Sequence, residues 1–134
     1  MKFAAVILLM SISAFTCRAQ SSKQYRDCTE KAKAQGELTA CASEELARVD
    51  AKRTDVYGKL LDETASQPEA AAKIKGEEAA WIAYRDAYVG AMYPSKNRLA
   101  EYGSVYPMNA ALLRAKLTRT HTTDLRELLQ HYGK

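Results

Sequence analysis

Hydrophobic residues recur along this chain at helical spacing, and they mark three long segments. In the first, over 35–66, Leu46, Val49, Arg53, Val56 or Tyr57, and Leu60 follow one another at steps of three and four. That spacing places them on one helical face. Glu44, Glu45, Arg48, Lys52 and Asp55 fall between them and read as a solvated face. Such a helix would be ~45 Å long, so later elements must cover it or it must bend. The second segment, 68–92, has Ile74, Glu77 or Glu78, Trp81, Tyr84 or Arg85, Tyr88 and Met92 in phase. Ser66 and Glu69 have capping-box spacing, and Pro68 suits a first helical turn. The third, 110–132, carries Leu113, Leu117, His121, Leu125 and Leu128, with Asn109 as its N-cap and Gly133 as its stop. No internal repeat or low-complexity tract appears. The prediction is an all-α fold, a small bundle of three main helices.

The segments between are shorter or more polar. Residues 20–26 read as a frayed polar lead, and 27–33 as a turn of helix carrying Cys28. The stretch 93–109 holds two Pro, one Gly and three Tyr. It is the longest irregular piece, with a short helical turn expected at 97–102. A connection this long in a small domain is usually functional or poorly ordered. Its Tyr93, Tyr102, Gly103, Ser104 and Tyr106 are candidate partner-binding residues, because Tyr gives rigid contact area with a polar tip. Packing of those rings against the helices is the competing reading.

The first residues change the picture of where the protein works. Lys2 precedes a mostly apolar run over 3–14, and Cys17-Arg18-Ala19 ends in the small residues that a signal peptidase reads. The run is too short for a membrane span. A signal peptide over 1–19 is the reading, leaving a domain over 20–134 in the periplasm or secreted. Acylation of Cys17 fits poorly, since Phe15 stands where a small residue is wanted. Cleavage takes Lys2 and Arg18 and lowers the formal charge from +4 to +2. A near-neutral chain argues against nucleic acid as partner, which needs a concentrated basic face. Cys28 and Cys41 then remain as an even pair in an exported protein, and they read as a disulfide that staples the N-terminal arm.

The catalytic inventory is thin. His121 and His131 lie apart on one predicted helix, and no free Cys accompanies them. Glu77 and Glu78 are adjacent and diverge on a helix, so they make no paired-carboxylate site. There is no Gly-rich phosphate loop. The residues therefore point away from an enzyme, and no metal or cofactor is expected. Polar groups inside the stripes are more telling. Arg53 has a core-facing phase, Arg85 follows Trp81 by one turn, and Asp50 lies near the stripe of the first helix. An Asp50–Arg85 pair between helices is expected, against the alternative that Arg85 runs along Trp81 to solvent.

One ordered set of residues carries a resemblance. It runs Cys28, Glu37-Leu38-x-x-Cys41-Ala42, Val49-Asp50, Tyr57, Leu60, Glu78-x-x-Trp81-Ile82-x-Tyr84-Arg85-Asp86-Ala87, Gly103-Ser104, Leu117-Thr118 and Leu125. The chain resembles the lysozyme inhibitor LprI N-terminal-like family of exported bacterial proteins. In that pattern Asp50, Tyr57, Trp81, Tyr84, Arg85 and Asp86 form the structural motif. The chain departs from it in three places. Glu78 stands where Gln is usual, Arg53-Thr54 where Leu-Asn is usual, and a second Cys pair is missing near Val89 and Leu113 or Arg114. The resemblance implies a non-enzymatic binding protein whose partner is a lysozyme-type muramidase. The alternative is an accessory periplasmic protein that binds another envelope component. In phase, Trp81, Tyr84 and Tyr88 are aimed at neighbouring helices, which makes the motif the lock of the bundle and leaves the following loop for a partner.

Overall fold

The computed structural model describes residues 21–133. The expected signal peptide, its cleavage point and Cys17 lie outside the described residues. Five helices follow in order: α1 (Lys23–Lys31), α2 (Gln35–Glu63), α3 (Pro68–Met92), α4 (Arg98–Tyr102) and α5 (Tyr106–Tyr132). No strand occurs among the described residues. The fold is the all-α bundle that the periodicity predicts, with α2, α3 and α5 as its main helices.

The direction of each helix follows from its partners. Near the start of α2, Gln35 Nε2 lies 3.6 Å from Met108 Sδ at the start of α5. At the far end Leu60 of α2 packs with Leu125 of α5. These two helices therefore run parallel, and they make the closest backbone pairing in the molecule. Helix α3 returns between their ends, antiparallel to both. Its Ile74 joins Leu60, Leu125 and Val56 in the core, while Asp50 of α2 meets Arg85 farther along α3. Tyr57, Leu61 and Leu128 close the sides of that core.

The ends of the helices are set by local chemistry. α1 begins where Ser22 Oγ accepts from the Tyr25 N–H at 3.0 Å. Lys23 to Arg26 are thus helical, not frayed, because a side-chain cap satisfies an orphan donor of the first turn. α2 stops at Thr64, whose buried hydroxyl donates to the Leu60 carbonyl at 2.8 Å. α3 keeps Pro68 in its first turn, but Gln67 is the N-cap and no side chain caps it, so the Ser66–Glu69 box does not form. α5 starts at Tyr106, ahead of the expected Asn109. Pro107 sits in its first turn, where a missing N–H costs nothing.

α1 is pinned antiparallel to the N-terminal half of α2. Cys28 and Cys41 form a disulfide with Cα atoms 5.8 Å apart. A loop of this length stabilises by ~3 kcal/mol in the chain-entropy view. The second attachment is polar. Ser22 gives its N–H to Glu45 at 3.1 Å, and its hydroxyl also donates to that carboxylate.

Candidate functional site

Helix α3 carries the family-like string, and the structure divides it between two faces. Trp81 points inward and is buried. The His121 ring of α5 stacks on it, with centroids 4.0 Å apart and planes 5° off parallel. The guanidinium carbons of Arg53 and Arg85 lie over the same indole at 5.4 Å and 5.1 Å. The single Trp is therefore shared by side chains from all three main helices. Cations favour that place because the ring face is electron-rich.

Charged groups complete the centre. Glu78 is buried one turn before Trp81. Its Oε2 lies 2.9 Å from His121 Nε2, and its Oε1 accepts from Arg53. Glu77, half-exposed, approaches His121 Nδ1 at 3.6 Å. Burial raises the Glu77 carboxyl above its usual value; His121 opposes this, and the charges of Glu78 and Asp124 add to it. Asp50 Oδ1 stands 3.6 Å from Arg53 and 3.7 Å from Arg85. The Asp50–Arg85 contact is thus electrostatic and too long for a hydrogen bond. Asp50 Oδ1 and Arg53 Nε have no hydrogen-bond partner among the described residues. Arg85 also approaches Asp86 at 3.3 Å, and Asp86 remains half-exposed. Tyr57 lies beside this network; burial, then the Glu78 charge, raises its phenol above the ordinary value.

Glu77, Glu78 and His121 could offer a metal three ligand atoms within 4.8 Å of one another. The arrangement suits an ion pair better. The two carboxylates face different ring nitrogens, and Arg53 already holds one Glu78 oxygen. His121 is buried, and it does not line the cleft between α2 and α5. As built, the centre binds helices together. Sequence reasoning missed the Glu78–His121 contact because 43 positions separate the partners. One signal pointed to it: Glu78 and Arg53 are both departures from the resembled pattern, and they meet each other.

The exposed aromatic residues of α3 are a correction to the expected packing. Tyr84 is 55% exposed and Tyr88 40%, so neither ring is aimed at a neighbouring helix. Met92, another turn on, is 53% exposed. Tyr84 lies about 60° round the helix from Trp81, at the margin of the buried stripe, and Tyr88 and Met92 lie beyond Trp81 toward the C-terminal end of α3. The two tyrosine rings pack on each other at 5.9 Å.

The connector after α3 is more ordered than an irregular loop. Tyr93, Tyr102 and Tyr106 form a three-ring cluster, with centroids 5.2, 5.1 and 6.1 Å apart. Arg98 donates to the Tyr93 carbonyl at 3.0 Å and lies over Tyr106. Asn97 Oδ1 caps α4 at the Ala100 N–H. Gly103, with φ +70°, turns the chain from α4 toward α5, in a region that favours glycine. The rings are half-buried and brace the connector. Leu99, Gly103, Ser104 and Val105 are exposed.

A third polar cluster was hidden from the sequence. Glu45, expected on a solvated face, is 1% exposed. It accepts from Ser22, from Arg48 Nη2 at 3.2 Å and from Arg119 Nη1 at 2.9 Å. Burial would raise this carboxyl. The hydrogen bonds from Ser22 and Arg48 and the charge of Arg119 outweigh it and hold the group below its usual value.

Comparison with known proteins agrees with this layout. The family model described as "Lysozyme inhibitor LprI" matches residues 28–125, from the first disulfide cysteine to Leu125 of the core. An uncharacterized protein of Rhizobium meliloti (strain 1021) is 29% identical over 142 residues, covering 95% of this chain and 96% of its own. No solved structure matches at the same stringency. The matched span takes in more than half of the chain, so the chain belongs to the LprI lysozyme inhibitor family.

Proposed function

We propose that this member of the LprI family is an exported, non-enzymatic protein that binds and inhibits a lysozyme-type muramidase. The family match supports the class of partner. The Cys28–Cys41 disulfide supports an oxidising compartment, where such bonds persist. The observation that carries the docking surface is the exposed strip in the C-terminal half of α3. Tyr84, Tyr88 and Met92 recur every four residues and are all exposed, and Leu99 and Val105 of the connector extend the exposed apolar surface beyond them. Exposed Tyr and Met on a rigid element have the composition of an interface core. Lys96 and Glu101 stand exposed in the connector as a polar rim. Tyr93, Tyr102 and Tyr106 act as a brace that holds Leu99, Gly103, Ser104 and Val105 in place, rather than as the contact itself. Inhibition needs only that this surface block the glycan-binding cleft; no group of this chain takes part in chemistry.

The test is lysis of bacterial cell walls by a panel of lysozyme types, with the oxidised protein added at micromolar concentration. Inhibition of at least one type is the expected result. Absence of inhibition across the panel sinks the proposal and leaves an accessory envelope protein as the reading, to be pursued by pull-down from periplasmic extract.

A further inference from the structure

We infer that the cleft between α2 and α5 is a binding site for an extended ligand bearing carboxylates, with an acidic peptide strand as the fitting chemistry. The cleft encloses about 590 Å³, and Ser22 and Gln24 of the N-terminal arm form one end of it. That volume lies in the range of small-ligand sites. Two stripes line it. Arg48 and Lys52 stand one turn apart on α2, and Arg119 and Arg126 stand two turns apart on α5. Against these four cations the lining contains a single acid, Glu45.

Glu45 shows what the site is shaped to hold. Its buried carboxylate sits between Arg48 and Arg119, 3.2 Å and 2.9 Å from their nitrogens. Both guanidiniums are thereby fixed in place, so a ligand does not meet the entropy cost of ordering them. Each keeps further N–H donors, since a guanidinium carries five. Lys52 and Arg126 are exposed, and neither has an ion-pair partner among the described residues. Like charges crowded in one cleft attract anions.

Spacing favours a chain of carboxylates over a lone anion. Four residues of helix separate Arg48 and Lys52 by ~6 Å along α2. Alternate side chains of an extended peptide recur every ~6.6 Å on one side. An acidic strand can therefore set successive carboxylates against successive cations, with Val49 and Ala51 beneath its stem. None of these residues lies on the outer face of α3, so the cleft is independent of the proposed muramidase contact.

The experiment titrates the oxidised protein with a tri-glutamate peptide by isothermal calorimetry at low ionic strength. Saturable binding at one site is expected. The double variant Lys52→Glu/Arg126→Glu should weaken it about tenfold or more. Lys73→Glu/Lys75→Glu makes the same change of net charge on exposed positions of α3, and it should stay within about twofold of the unaltered protein. Inorganic phosphate should bind about tenfold more weakly than the peptide. Far-UV circular dichroism checks folding, and Lys52→Gln/Arg126→Gln serves if charge reversal disturbs it. Equal weakening by both charge-reversed pairs would reduce the effect to net charge and overturn the site. Phosphate binding as tightly as the peptide, or no saturable heat at all, would also overturn it.

Discussion

Trp81 and Tyr84 belong to one short string of α3, yet they behave in opposite ways. Trp81 is buried under His121, Arg53 and Arg85, whereas Tyr84 stands open to solvent beside Tyr88. Three residues on a helix leave two side chains only about 60° apart, so Trp81 sits within the contact while Tyr84 falls at its margin. The inner face joins α2, α3 and α5 through one indole and a buried set of charges. The outer face contributes nothing comparable to the bundle. One short string need not have one role, and here burial separates the part that holds the fold from the part free to meet a partner.

Substitution should expose this contrast most sharply at its two extremes. Trp81→Ala removes the shared ring and should cost about 3–5 kcal/mol in urea unfolding. Tyr84→Ala, on the exposed face, should stay within about 0.5 kcal/mol. Equal losses would erase the distinction between the faces. The ion pair under the Trp gives a finer cut. Arg53→Leu or Glu78→Gln alone strands a partner in the core, and each should cost about 3 kcal/mol. The double variant should cost less than the sum, by about 1–3 kcal/mol, when the four proteins are compared as a cycle. Simple additivity would mean that the two groups do not depend on each other.

Smaller effects are expected farther out. Arg85→Met breaks a contact of 3.7 Å to Asp50, a carboxylate that solvent still reaches. The loss should be about 1 kcal/mol, below that of the Arg53–Glu78 pair. The weakest signal is in pH. The Glu45 carboxyl is lowered in the folded protein, so its contribution is present above the ordinary glutamate value and is lost as pH falls through the folded one. The Glu77 carboxyl is raised, so the folded state holds its proton longer, and stability falls as pH rises from the ordinary value through the folded one. Unfolding midpoints against pH should therefore flatten in opposite directions for Glu45→Gln and Glu77→Gln. The same direction for both would contradict the assigned environments.

Much of this was legible from residue spacing, and the failures share a cause. The bounds of α3 and the three-helix plan follow from apolar periodicity and from Pro68 and Pro94. The disulfide follows from Cys28 and Cys41, the pair that remains once Cys17 is assigned to the expected signal peptide. Spacing along one helix does not reveal how much of a stripe its neighbours cover. Tyr84 lies at the margin of the buried stripe and Tyr88 beyond Trp81 toward the C-terminal end of α3, so both fall outside the contact although they share the stripe. Nor does it reveal charge partners on other elements. Glu45 reads as a surface acid until Arg119, 74 positions away, is placed beside it. α5 starts ahead of Asn109 because Pro107, which reads equally well as loop, fits the first turn of a helix.

The central claim is that the inner face of α3 locks the bundle while the outer face and its connector meet the muramidase. It is tested most directly by titrating a lysozyme with the triple variant Tyr84→Ser/Tyr88→Ser/Met92→Ser, first matched to the unaltered protein in its urea unfolding midpoint. Inhibition weakened about tenfold or more at unchanged stability is the expected result. Unchanged inhibition by the folded variant would contradict it.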